Sequence, residues 1–421
     1  MDVHKTHPQD FIRKPILTFE VIFVIMLRKG LKSLQLSLNE FIPKLNLSEQ
    51  TVSNMAYCKA RRKLKHTAFI ELNKAAVVET MYEDGDYQTY EGFRLLGVDG
   101  SKIQLPDTEE TEELFGTLTY ANKAHGTSGQ HSFALASVLY DVLNKVALDA
   151  QLLPARTYEV TAAMRNLDSA QLTAEDIIIA DRNYHSPVMM AAILRAGSNF
   201  LIRCKRGSGM AVADDMLAGK GDDDRIVTVT IPKHLREREE YKSLDMPISF
   251  SVRFVRVLLD TGEYEVLATS ILDNTVLPTE SFKELYYLRW GIETFYGLLK
   301  TRLTLENFTG YSVDAIRQDF FATVFLCGIE AIFTMDAEET LRKQKGGKPK
   351  KVNKAVSFNA IKYRAFELFL SDMPEAEILK ELDDLFLTSP TLIRPERKPK
   401  RKRHADNKVL DYFKRVRKAV F

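Results

Sequence analysis

Three carboxylates stand out by their settings. Asp99 follows the apolar run "FRLLGV", Asp181 follows "EDIIIA", and Glu293 lies inside "ELYYLRWGIETFYGLLK". The first two runs read as strands with an aspartate at the C-terminal end. The third reads as a helix on which Tyr286, Arg289, Glu293 and Lys300 follow one another at steps of three, four and seven. With about 100° of rotation per residue, those steps bring all four side chains to one side. Two Asp from strand ends and one Glu from a helix make a hard oxygen donor set of the kind that holds Mg²⁺ or Mn²⁺. Two such ions ~4 Å apart can activate an attacking oxygen and stabilise a leaving one in phosphoryl transfer. Tyr286, Arg289 and Lys300 beside them would donate to phosphate oxygens. The plainer readings are that an Asp after a strand caps a turn and that a charged stripe meets solvent. They leave unexplained why a phenol, a guanidinium and an ammonium align with a single acid. Trp290, the one tryptophan of the chain, adjoins the stripe, either as core or as a platform for an unstacked base.

The elements around these residues fall into a recognisable order. Residues 1–85 read as helical, with a break near Gly30. Ser48 or Ser53 would cap a helix exposing Lys59, Arg61, Arg62 and Lys63. A short helix, a turn and a basic helix suit a reader of a DNA groove, and a helical bundle with a wet basic face fits equally well. From 93 onward come a strand ending at Asp99, with Gly100 and Ser101 as a turn, then two strands (131–141 and 145–153) as a hairpin. A helix (156–167), the strand ending at Asp181, a helix opened by Pro187 and a strand (199–206) complete an α/β series. In such sheets the C-terminal edge of the strands is where ligands bind. Residues 207–278 break the series as a β-rich insertion. The helix carrying Glu293 follows, then an apolar helix (315–335), a basic linker (345–354) and a last helical segment.

At 421 residues, two or three domains are expected. A net charge of +2 conceals segregation: twelve Lys or Arg stand between Arg394 and Phe421, and seven between Arg342 and Lys354 with no acid among them. Acids gather in "EDGD" (83–86) and "PDTEETEE" (106–113). Local basic clusters on a near-neutral chain suit contact with a polyanion, although a charge run can be merely solvated. Cys58, Cys204 and Cys327 lie too far apart in sequence for a paired framework or a short-spaced zinc site, which fits a reducing cytoplasm. The apolar run 15–27 contains Glu20 and is short for a membrane span, so it reads as a buried helix. His125 and His131 could pair on a metal, but a polar loop before a strand explains them more simply. His185, Arg182 and Tyr184 lie close behind Asp181, where they could brace it or meet DNA. No phosphate loop or nucleotide fingerprint is present, so no nucleotide cofactor is expected.

The spacing Tyr286, Arg289, Glu293, Lys300 resembles, without a gap, the signature of the insertion-sequence type 4 family of bacterial DDE transposases. "GVDGSKIQLP" is similar to that family's first-aspartate block and "IIADRNYHSP" to its second; the likeness extends over roughly residues 9–335. The resemblance implies an RNase H-like α/β core interrupted by a β-rich insertion, preceded by a helical N-terminal DNA-binding domain. Mapped on the chain, this gives 1–85 for DNA binding, 90–206 and 279–340 for the two parts of the core, 207–278 for the insertion and 341–421 for a basic helical C-terminal region. It implies Asp99, Asp181 and Glu293 as catalytic ligands of two Mg²⁺ or Mn²⁺ ions, with Tyr286, Arg289, Lys300, Trp290, Arg61 and Arg62 on DNA. Partners would be the terminal inverted repeats and target DNA, met by a homodimer in a paired-end complex, in a bacterial cytoplasm at the nucleoid and away from membranes. The competing expectations are a catalytically idle DNA-binding descendant and a nuclease that cuts without joining.

Overall fold

The computed structural model describes residues 2–12, 16–30, 32–45, 51–122, 127–242, 244–259, 262–344, 346 and 348–394. Ser48, His125 and the basic tail past Arg394 lie outside the described residues. The chain forms two units, one of residues 84–103 and 134–298, the other of 1–83, 104–133 and 299–421.

The strands in chain order are β1 (Arg94–Gln104), β2 (Thr117–Asn122), β3 (Thr127–Asp141), β4 (Val146–Pro154), β5 (Asp176–Ala180), β6 (Asn199–Arg203), β7 (Asp224–Thr230), β8 (Ser249–Leu258) and β9 (Tyr264–Thr269). In the unit of 84–103 and 134–298 the sheet runs β4-β3-β1-β5-β6-β9-β8-β7. β1, β5 and β6 are mutually parallel, and β9, β8 and β7 continue the sheet antiparallel. β5, "DIIIA", is buried from end to end, as a central parallel strand covered on both faces must be. β7, β8 and β9 all lie within residues 207–278, and β9 pairs with β6.

The two-residue period of a strand sorts this unit's core into two layers. Leu96 and Val98 of β1, with Ile178 and Ala180 of β5, face the helices Glu159–Ser169 and Pro187–Arg195. Leu95, Ile177 and Ile179 face Phe282, Leu285 and Tyr286. Arg253 of β8 is nearly fully buried; its guanidinium holds Asp224 at 2.5 Å and the Leu277 carbonyl at 2.7 Å. That pairing ties β7 and β8 to the segment leading into the Glu293 region.

Two expectations are corrected. β1 does not end at Asp99: it runs five residues further, to Gln104, so Gly100 and Ser101 are strand and not turn. The stretch 284–300 is also not one α-helix. It consists of Phe282–Tyr287, Trp290–Gly297 and a π-helical turn, Leu298–Arg302. At the first junction the N–H groups of Leu288, Arg289, Gly291 and Ile292 bond three residues back, to Leu285, Tyr286, Leu288 and Arg289. That is 3₁₀ winding.

The other unit is built round the helix Val313–Phe333, buried along most of its length. Phe19–Leu27, Thr67–Asn73 and the π-helical Lys74–Glu79 pack on it. A Cβ on Gly328 would stand 2.5 Å from a Val77 methyl. β2 pairs with the first half of β3 in this unit. Ser53 caps Asn54–Arg61 as expected, its hydroxyl accepting the Ala56 N–H at 3.2 Å. Lys59, Arg62 and Lys63 are exposed on or just past that helix, but Arg61 is buried at 5% exposure. Its Nη2 donates to Asp319 at 2.8 Å and to the Ala315 carbonyl at 2.9 Å, and its Nε to Gln318 at 2.7 Å. A guanidinium so engaged has no face left for a phosphate, so Arg61 is withdrawn as a DNA contact. Among the described residues no single helix is long and apolar enough to cross a membrane, and all three cysteines are free.

Candidate active site

β1 and β5 set the two aspartates side by side. Their register pairs Gly97 with Ile179; Asp99 lies two residues further along β1, and Asp181 two residues past Ile179, just beyond the end of β5. By the alternation of β1, Asp99 shares the face of Gly97, against which Ile292 of the Glu293 helix packs. β5 stops at Ala180, and Asp181 caps the short 3₁₀ turn Arg182–Tyr184 by accepting the Asn183 N–H at 2.7 Å. Asp99 accepts the N–H of Gly100 at 2.8 Å. In each carboxylate Oδ1 is thus engaged, and Oδ2 has no hydrogen-bond partner among the described residues. Burial, with Asp181 and Glu159 adding repulsion, pushes the Asp99 carboxyl up to about 7.

The helix Trp290–Gly297 is seated on β1 by small residues and one hydroxyl. A Cβ on Gly97 would fall 3.1 Å from Val142 and 3.3 Å from Ile292, and one on Gly291 would fall 2.9 Å from Val142. Only glycine at both positions permits so close an approach. The Tyr296 hydroxyl reaches the carbonyl oxygens of Asp99 at 2.9 Å and Ala136 at 3.0 Å, and Phe295 stacks on Tyr140 at 4.5 Å. Glu293, one turn before Tyr296, is therefore held over the strand that carries Asp99. Tyr296 is a positioning residue that the sequence reading missed, because its partner is a backbone carbonyl.

Glu293 itself is turned to Arg289, whose Nη2 donates to it at 2.8 Å. Arg289 is buried, with its guanidinium 5.6 Å from the Tyr286 ring and 4.9 Å from that of Trp290. Burial opposes its charge, but Tyr286, Glu293 and Asp181 together hold its pKa above the ordinary value. The local 3₁₀ winding brings Tyr286 and Arg289 onto one line, so the first three members of the stripe do meet. Tyr286 meets them from the core: its ring is buried, and burial drives its pKa upward, which corrects the expectation of an outward phosphate donor. Trp290 is 42% exposed and Tyr287 70% exposed, so the tryptophan is not core. Lys300 lies half-buried in the π-helical turn and belongs to the other unit.

Among the described residues no three His, Cys, Asp or Glu side chains stand close enough together to hold an ion. Asp99 and Asp181 fit a hard divalent cation, because each presents an unengaged carboxylate oxygen in a partly buried setting, one on β1 and one just past the end of β5. Glu293 fits as a third donor of the same chemistry, with one oxygen now on Arg289. The remaining candidates resolve as structure. His185 is buried, accepts the Lys205 N–H at 3.2 Å and is lowered by burial to about 4. His131 is bonded to Asp107 at 2.7 Å. Arg182 is exposed and Tyr184 fully buried.

No curated protein matches the chain. Among solved structures, the piggyBac transposase in a cryo-EM synaptic complex with hairpin DNA aligns over 87% of this chain and 75% of its own, at 9% identity and a TM-score of 0.43. That likeness is too loose to carry an argument. The family described as "Transposase DDE domain" matches residues 91–327. The match runs through more than half of the chain and takes in Asp99, Asp181 and Glu293 alike: the protein belongs to the transposases of the DDE-domain family.

Proposed function

We propose that the protein cuts insertion-sequence ends and joins them to target DNA by metal-dependent phosphoryl transfer, as a member of the insertion-sequence type 4 group. The observation that carries the reading is that Asp99 and Asp181 each follow by two residues the paired Gly97 and Ile179 of parallel β1 and β5, with the Glu293 helix fastened to Asp99's own carbonyl through Tyr296. The strand order β4-β3-β1-β5-β6, with two parallel strands following β1, supports an RNase H-like core.

Asp99, Asp181 and Glu293 would hold two Mg²⁺ or Mn²⁺ ions; when bound, these would activate the attacking oxygen and stabilise the leaving one. The chain supplies the rest. Glu293 would hold the ion with the carboxylate that now accepts from Arg289. The Arg289 guanidinium, poised between Trp290 and Tyr286, is placed to donate to a phosphate oxygen. Trp290 and Tyr287 offer exposed rings on which an unstacked base can lie. Lys300, together with Lys59, Arg62 and Lys63 of the N-terminal helical region, contributes phosphate contacts. Two copies meeting two inverted repeats, in a bacterial cytoplasm, complete the proposal.

The test uses a labelled terminal-repeat duplex, a target plasmid and Mg²⁺. Wild type should nick the end and yield strand-transfer products. Asp99→Asn, Asp181→Asn and Glu293→Gln should bind the end and do neither. Cutting without joining would identify a nuclease. Binding without any cutting by wild type would identify an idle descendant.

A further inference from the structure

A fourth carboxylate reaches this site from the opposite side of the sheet. Glu159 opens the helix Glu159–Ser169, which packs on the β1 face of Leu96 and Val98. Gly100, the residue after Asp99, belongs to that face. A Cβ there would stand 3.1 Å from Glu159 Cγ and 3.3 Å from its Cδ. The carboxyl group of Glu159 is therefore laid directly over the backbone beside Asp99, and a larger residue at position 100 would push it away. Burial raises the Glu159 carboxyl, with Lys102 opposing and Asp181 adding to the rise, and Glu159 in turn adds to the rise at Asp99.

Four acids in one neighbourhood are not by themselves a site. The second observation is Tyr184. Its ring is fully buried, and its hydroxyl has no hydrogen-bond partner among the described residues. The charged groups acting on that hydroxyl are Asp99, Glu159 and Asp181, with Tyr296 beside them. A buried hydroxyl left unpaired is costly, and this one lies within the influence of carboxylates that have unengaged oxygens. Lys102 is the basic side chain nearest in effect to Glu159, and its ammonium donates to the Ala155 carbonyl. A divalent cation with its water shell would answer all of these groups at once. The carboxylates would meet positive charge, and a shell water would pair with the Tyr184 hydroxyl.

We propose that Glu159 is a positioning carboxylate of the divalent-ion site, which with the Tyr184 hydroxyl orders the ion's water shell from the face opposite Glu293. The inference rests on the metal-dependent reading above, and its test separates the two. Mn²⁺ alone is titrated into the full-length protein without DNA by calorimetry, with thermal unfolding of the metal-free protein measured alongside. Removing an outer-shell partner typically weakens metal binding about 10–100-fold. Glu159→Gln should therefore raise the Mn²⁺ Kd by about tenfold or more while leaving metal-free unfolding unchanged. Glu159→Asp, which keeps the charge, should recover part of the loss, and it carries the same comparison if the glutamine variant does not fold. Asp99→Asn fixes the reference. If it abolishes Mn²⁺ binding and Glu159→Gln leaves the Kd unchanged, the role of Glu159 is overturned and the metal site stands. If Asp99→Asn leaves the Kd unchanged, the metal-dependent reading itself falls, and this inference with it. A Glu159→Gln variant that unfolds earlier with an unaltered Kd would make Glu159 a structural partner of Lys102 only.

Discussion

Asp319 and Asp99 are both withdrawn from solvent, and their settings are opposite. Asp319 accepts from Arg61 at 2.8 Å, from the Thr309 N–H at 2.6 Å and from the Thr309 hydroxyl at 2.9 Å, with Lys29 at 3.9 Å. Burial would raise its pKa, but Arg61, Lys29 and Thr309 outweigh it and hold the group below the ordinary carboxylate value. Asp99 has one backbone N–H and carboxylate neighbours, and its pKa rises to about 7. A buried acid whose lone pairs are all occupied by permanent donors belongs to the fold. A partly buried acid left with an open oxygen and carboxylate neighbours, with Arg289 as its opposing charge, is not explained by the fold, and under the proposed function it is where a cation would sit.

The largest effect that follows concerns chemistry. Asp99→Asn should lower end cleavage by roughly a thousandfold or more, as removal of a catalytic group does. Metal-free thermal unfolding should not fall, because the amide replaces a poorly solvated charge. A cleavage rate within tenfold of wild type would place Asp99 with Asp319 as a structural acid.

Asp319→Asn should do the reverse. It leaves Arg61 buried and short of its counter-charge, which typically costs about 3–5 kcal/mol, read as a lowered urea midpoint with Mn²⁺ affinity unchanged. The sign with pH follows from the depressed pKa. The unfolded chain takes up the proton first as pH falls, so the stabilisation is complete above the ordinary carboxylate range near pH 4. It is lost as pH drops further, through the folded value. The variant should therefore lose less stability than wild type between about pH 4 and pH 2. Parallel acid curves for the two proteins would refute the contrast.

How much of this was legible in sequence differs between the aspartates for a physical reason. Asp181 follows a short, wholly buried strand and caps a turn, so local pattern suffices to place it. Asp99 was located, but its strand was read as ending at "DGS", because Gly-Ser after Asp imitates a turn. Gly100 is glycine for another reason: Glu159 lies against it, a contact made across 59 residues of sequence that no local pattern records. The helix at 284–300 was legible as helical, yet its 3₁₀ and π windings arise where Gly291 closes on Val142 and where tertiary packing overrides the 3.6 period. Arg61 and Arg62 look alike in sequence. Only the arrival of Gln318 and Asp319, more than 250 residues later, makes one internal and leaves the other outside.

Tyr296→Phe tests a smaller term. It removes one hydroxyl shared between the Asp99 and Ala136 carbonyls, so stability should fall by about 1 kcal/mol. The looser seat of the Glu293 helix should slow end cleavage by about tenfold, since catalytic groups are sensitive to small misplacement. If cleavage is unchanged while stability falls, the hydroxyl serves the core alone.

The smallest effect separates the two neighbouring arginines. Arg62 is exposed, and the helix Asn54–Arg61 makes no use of its side chain beyond the C-cap backbone. Arg62→Ala should leave thermal unfolding where it is. If the residue meets a phosphate in the bound end, its loss releases about one counterion fewer, so the slope of log K against log[salt] should become shallower by about 1. Arg61→Ala removes a cation paired inside the protein. It should lower stability by several kcal/mol, in the range of about 3–5 for a broken buried pair, and leave the salt slope of the protein that remains folded unchanged. An altered slope in Arg61→Ala, or an unaltered one in Arg62→Ala, would mean that exposure in the free protein does not decide which of these side chains the DNA meets.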